Sequence, residues 1–85
     1  MDIRATDIAD VKIIRPARVG DNRGFFSEVF RSDVFKAIGI DVDWVQDNHS
    51  LSARRGVVRG LHYQTAPFAQ AKLVRVIRGA IFDVA

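Results

Sequence analysis

The sequence predicts an all-β fold, an antiparallel sandwich or barrel carrying one short helix. Three observations predict it: β-branched and aromatic runs recur at short intervals, turn residues separate them, and only one segment carries both a helix start and a helix stop. In chain order, 11–15 is a β-branched run ended by Pro16, and Gly20-Asp21-Asn22-Arg23-Gly24 is a turn. Residues 25–30 follow as a strand with Phe26 and Glu28 on one face. Ser32 is suited to cap a helix over 33–38, with Asp33 near its positive end and Gly39 as its left-handed stop. Strand signals then return at 43–50, 56–64, 71–78 and 80–85, broken once by Thr65-Ala66-Pro67.

No repeat, linker or low-complexity stretch interrupts the chain, so residues 1–85 are expected to be a single domain. A chain of this length buries only about 60% of the surface its unfolded form exposes, which favours help from a partner chain. Hydrophobic residues at 48% and charged residues at 27%, with six glycines and two prolines, exclude a disordered or collagen-like polymer. With no cysteine, neither a disulfide framework nor a thiolate metal site is open to it, and a reducing compartment fits. The N-terminus lacks a basic segment followed by an apolar stretch, and no apolar run approaches membrane-spanning length. A cytoplasmic protein with no membrane partner is the expectation. The chain closes on Ile81-Phe82-Asp83-Val84-Ala85 in mid-alternation, as the N-terminal portion of a longer fold would.

Charge is unevenly placed. Residues 1–47 carry seven Lys/Arg against nine Asp/Glu, a net of −2, whereas 48–85 carry six Lys/Arg against one acid, a net of +5. Cations dispersed through strand-like sequence suit an anionic ligand or a solvated basic face. Nucleic acid is disfavoured, because no recognition helix, zinc knuckle or aromatic ladder accompanies the basic residues.

Strand alternation puts Gln46, Asn48 and Ser50 on one face, a stripe that is either solvated or able to read polar ligand edges. Glu28 beside Phe26 offers the same two options, a surface pair or a carboxylate and ring for a nucleobase. The densest segment is Val57-Val58-Arg59-Gly60-Leu61-His62-Tyr63-Gln64. Arg59 and His62 would lie on opposite faces of a regular strand unless Gly60 distorts it. A histidine is suited to remove a proton beside a ketone and an arginine fork to hold phosphate, although a histidine bonded within the sheet fits the spacing equally. Gly56 followed by His62 resembles the start of the cupin metal motif. Gln64 then stands where a second histidine belongs, and Phe68 and Ala69 where a glutamate belongs, so no metal is expected. Lys72 alternates with Val74 and Val76, either snorkelling at a strand end or stabilising an oxyanion.

Taken in order, Asp21-Asn22-Arg23-Gly24-Phe25-Phe26-Ser27-Glu28, Val45-Gln46-Asp47-Asn48-His49-Ser50, Arg59-Gly60-Leu61-His62-Tyr63-Gln64, Lys72-Leu73-Val74-Arg75-Val76 and Gly79-x-Ile81-Phe82-Asp83-Val84 resemble the dTDP-4-dehydrorhamnose 3,5-epimerase family. The resemblance covers nearly the whole chain and corresponds to the N-terminal half of that family's enzymes. It implies a cupin-type antiparallel β-barrel, or jelly roll, that works as a homodimer without metal or organic cofactor. The implied substrate is a dTDP-linked 4-keto-6-deoxyhexose, inverted at C3 and C5 in dTDP-L-rhamnose biosynthesis. By position, His62 is implied as the general base and Lys72 as the support for the C4 oxyanion. Arg59 is implied to hold the diphosphate, and Arg23, Phe26, Glu28, Gln46 and Asn48 to engage the nucleotide. The family also uses a tyrosine acid and a histidine-orienting aspartate, both expected past Ala85, since Tyr63 is the only tyrosine here and adjoins His62. The alternative is a non-catalytic β-domain that binds a nucleotide sugar.

Overall fold

A computed structural model describes all of residues 1–85. Its regular structure is antiparallel β with one short helix, the class expected, and is concentrated before residue 38. Strand β1 (Asp2–Ala5), which no turn signal announced, pairs with β2 (Lys12–Arg15) in the register Asp2↔Arg15, Ile3↔Ile14, Arg4↔Ile13 and Ala5↔Lys12. Ile3 and Ile14 therefore face each other, and both are half-buried. The connection is tied by Thr6, whose hydroxyl lies 2.8 Å from the Ile8 carbonyl and 2.7 Å from that of Val11. Val11 N–H donates to the Ile8 carbonyl at 2.9 Å. Pro16, with no N–H to offer a ladder, follows the last paired residue.

Strand β3 (Val19–Asp21) turns through Asn22 and Arg23 into β4 (Gly24–Phe26), with Val19↔Phe26, Gly20↔Phe25 and Asp21↔Gly24 paired. The turn lies where the glycines place it, but the strand expected over 25–30 stops at Phe26. With β3 only three residues long, pairing runs out there. Ser27 instead fastens the departing chain by donating to the Ala17 carbonyl at 2.7 Å.

Helix α1 (Ser32–Ala37) begins one residue earlier than expected. Arg31, extended at φ −152° and ψ 121°, occupies the capping position, and no side chain caps the backbone there. Ser32 is thus the first helical residue rather than the cap. Asp33 supplies the first turn's negative charge and accepts the Val34 N–H at 2.9 Å. The helix ends as anticipated: Gly39 has φ +90°, and the N–H groups of Gly39 and Ile40 return to the carbonyls of Lys36 and Phe35. Phe35, only 1% exposed, is the sole fully buried side chain and meets Phe30 edge-to-face at 4.8 Å.

The chain divides into two compact units, Met1–Asp41 with Phe82–Ala85, and Val42–Ile81. The second unit contains no strand or helix, only bends and turns around 54–56, 66–68 and 77–79. Strand signals at 43–50, 56–64, 71–78 and 80–85 therefore form no ladder. A strand is held by its hydrogen-bonded neighbour and one buried face, and these segments have neither: Val58 is 89% exposed. No helix is long and apolar enough to cross a membrane.

Candidate functional site

Within the first unit, the β3–β4 hairpin gathers three of the residues singled out by sequence. Arg23 stands in the turn, Phe26 ends β4, and Glu28 lies two residues on, kept near the hairpin by the Ser27 hydrogen bond to Ala17. Phe26, paired across the ladder with Val19, is 75% exposed. It is shared by two surface depressions. One, of about 260 Å³, is lined by Arg23 and Phe26 with Val19, Asp21, Gly24 and Phe25. The other, of about 290 Å³, sets Glu28 against an apolar floor of Phe26, Val19, Ala17, Met1 and Val34. A depression lined by a ring and a carboxylate can receive a flat polar heterocycle, stacking on its face and accepting from its edge.

The electrostatics of this unit come from short-range pairs. Asp21 and Arg23 form an ion pair at 2.7 Å. The Arg23 side chain and backbone N–H both donate to the Asp21 carboxylate and hold it below its ordinary pKa, while Asp21 raises that of Arg23. Arg31 reaches Asp33 at 2.8 Å and Glu28 at 3.8 Å. At Asp33 partial desolvation pushes the pKa up, but the hydrogen bonds from Arg31 and the Val34 N–H together outweigh it and leave the carboxyl low. Arg18 lies over the Phe25 ring at 4.3 Å, which steadies the other face of the hairpin.

The second unit holds the remaining five. Gln46 Nε2 donates to Asn48 Oδ1 at 3.1 Å, a contact between residues two apart in a segment that forms no strand. Arg59 is anchored, with Nε donating to Ser52 Oγ at 3.2 Å and Nη2 to the Leu51 carbonyl at 3.1 Å. The regular path breaks at Gly60, whose φ is +117°, and a Cβ at that position would stand 3.7 Å from His62 Nδ1. The His62 ring is thus folded back over the glycine, a distortion of the kind that the spacing of Arg59 and His62 made a question. His62 and Lys72 are both exposed. No three His, Asp or Glu side chains converge as a ligand set.

Sequence reasoning passed over the groups that hold these residues: Asp21 for Arg23, Arg31 for Glu28, and Ser52 with the Leu51 carbonyl for Arg59. Only the first had a legible signal, an aspartate two residues before an arginine inside a tight turn. The Arg59 anchor crosses seven and eight residues of irregular chain and has no periodicity to betray it.

A family model described as dTDP-4-dehydrorhamnose 3,5-epimerase matches residues 5–85. Curated proteins named dTDP-4-dehydrorhamnose 3,5-epimerase are similar over the full chain. That of Sinorhizobium fredii is 60% identical over 85 residues, covering 100% of this chain and 44% of its own length. That of Shigella flexneri is 55% identical over 86 residues, covering 100% and 47%. The Escherichia coli protein is 51% identical over 86 residues, covering 100% and 46%. The chain therefore spans under half the length of these relatives. No solved structure matches it. With a family match running from residue 5 to residue 85, the chain belongs to the dTDP-4-dehydrorhamnose 3,5-epimerase family.

Proposed function

We propose that the protein carrying this chain is an isomerase that epimerises a dTDP-linked 4-keto-6-deoxyhexose, dTDP-4-dehydro-6-deoxy-D-glucose, at C3 and C5 in dTDP-L-rhamnose biosynthesis. The observation that carries this assignment is the family match over 5–85, which includes the Arg59-Gly60-Leu61-His62-Tyr63-Gln64 block. His62 removes the proton on the carbon next to the C4 ketone, a task for a side chain whose ordinary pKa lies near neutrality. The electron pair left behind delocalises onto the C4 oxygen. Lys72 donates to that oxygen and lowers the cost of the enolate, an interaction that strengthens as charge develops. Returning a proton from the opposite face completes each inversion and needs a second acid.

Arg59 takes the diphosphate, since a guanidinium fork matches two phosphate oxygens. Phe26 and Glu28 receive the thymine, Arg23 adds charge from the hairpin turn, and Gln46 and Asn48 each engage the nucleotide. The net +5 of residues 48–85 supports an anionic ligand. The protein works as a homodimer of single cupin-type barrel domains, supported by how little this chain buries alone: one fully buried side chain, Phe35. A cysteine-free chain and a nucleotide-linked substrate support the cytoplasm as its place of action.

The test follows the proton. With substrate in deuterium oxide, the natural polypeptide that carries these residues incorporates deuterium at C3 and C5, and His62→Asn lowers the rate by at least about 100-fold. Exchange at the full rate in that variant would remove His62 from the role of base. Tight binding of the nucleotide sugar with no exchange in the unaltered protein would replace the epimerase with a binding domain.

A further inference from the structure

The hairpin turn holds an interaction that nucleotide recognition alone does not explain. The Asp21 carboxylate accepts the Arg23 backbone N–H at 2.9 Å, and both its oxygens also meet the guanidinium: Nε lies 3.2 Å from Oδ1 and 3.1 Å from Oδ2, and Nη2 lies 2.7 Å from Oδ2. One carboxylate thus closes the turn and grips the side chain it contains. The Arg23 side chain is otherwise 86% exposed, whereas that of Asp21 is 50% exposed. A guanidinium offers five donors in one plane, and Asp21 takes the edge formed by Nε and Nη2. The outer edge, formed by Nη1 and the second Nη2 hydrogen, stays open and matches two oxygens of a phosphate.

We propose that Asp21 is a positioning residue for nucleotide binding, holding Arg23 side-on so that its outer edge is presented to the diphosphate. The inference rests on the assignment of Arg23 to the nucleotide. Two effects of Asp21 oppose each other. Its negative charge repels an anionic ligand, but it lies across the guanidinium from that ligand at an exposed position, where solvent and salt screen the repulsion. Its restraint of a long side chain lowers the entropy lost on binding, and that gain is not screened. The restraint prevails.

The experiment uses the natural polypeptide that carries these residues, with dTDP as the probe and calorimetry as the readout. Asp21→Asn keeps an oxygen for the Arg23 backbone N–H while removing the charge and the two-oxygen grip. It is expected to weaken dTDP binding about three- to fivefold, the scale of an exposed ion pair, with only a small fall in Tm and with KM for the nucleotide sugar rising more than kcat falls. Arg23→Ala weakens binding at least as much, and the double variant is no weaker than Arg23→Ala alone, because Asp21 acts only through Arg23. Unchanged or tighter binding in Asp21→Asn beside weakened binding in Arg23→Ala overturns the positioning role and leaves the Arg23 contact standing. Additive losses in the double variant overturn it as well. Unaltered binding in Arg23→Ala removes the contact itself, and the positioning role with it.

Discussion

Residues 1–41 and residues 42–81 contain comparably strand-like sequence, yet only the first region forms strands. The difference lies in where each strand's partner is. β1 and β2 are separated by a six-residue connection, and β3 and β4 by two residues, so each ladder closes over a short loop at small entropic cost. Helix α1 is local too, six residues long, and completes its end with its own carbonyls and Gly39. The segments 43–50, 56–64 and 71–78 lie next to turns but form no ladder across them, and apart from half-buried Trp44 their side chains remain exposed. Local closure makes a hairpin self-sufficient, whereas a strand that relies on distant pairing carries only a propensity until that partner arrives.

The sharpest way to break this comparison is to cut one apolar side chain in each region of the natural polypeptide. Phe35→Ala removes the buried ring under Phe30 and is expected to cost about 3 kcal/mol in a urea unfolding experiment. Val58→Ala, at a position 89% exposed within residues 1–85, is expected to cost under about 0.5 kcal/mol unless the proposed barrel covers it. A loss of about 2 kcal/mol or more at Val58 would mean that its strand signal is satisfied after all by residues outside this chain or by a second subunit.

A smaller effect sharpens the account of the first region. Gly39 stops α1 at φ +90°, where a Cβ is strained even though nothing lies within 4 Å of it. Gly39→Ala is therefore expected to cost about 1 kcal/mol through backbone strain alone. An unchanged unfolding midpoint would show that the helix end is not held by this conformation.

The smallest effect concerns charge. Asp21 titrates below the ordinary carboxylate value because Arg23 donates to its ionised form. A depressed folded-state pKa contributes stability that is present above the unfolded value and lost as pH falls through the folded one, so the pair matters at neutral pH and fades only in acid. Carboxyl chemical shifts followed by NMR should place the Asp21 midpoint below that of an ordinary aspartate and move it up toward, without reaching, the ordinary value in Arg23→Gln, where the backbone N–H of residue 23 still donates. A midpoint already ordinary in the unaltered protein would dissolve the pair.

The elements that were legible beforehand are those whose cause is local. The glycines of 20–24 announced the hairpin, the β-branched run before Pro16 announced β2, and Gly39 announced the helix stop. β1 escaped notice because Asp2-Ile3-Arg4-Ala5 has a single strongly strand-forming residue and becomes a strand only through β2. The helix start shifted by one residue because extended Arg31, rather than Ser32, fills the capping position. Among the candidate site residues, the break at Gly60 followed from its lack of a Cβ, whereas Gln46 and Asn48 meet in a segment that forms no strand. The anchor of Arg59 on Ser52 and Leu51 had no such signature.

By itself the sequence determined the all-β class, the position of the turns and of the one helix, and the ordered set of motifs that marks the family, since each depends on residue type and short spacing. Tertiary structure alone decided which strand-like segments pair, that Phe35 rather than another aromatic is buried, and which groups restrain Arg59. The physical reason is that propensity and turn chemistry act over a few residues, whereas burial and hydrogen-bond partnership exist only once chain segments have met in space.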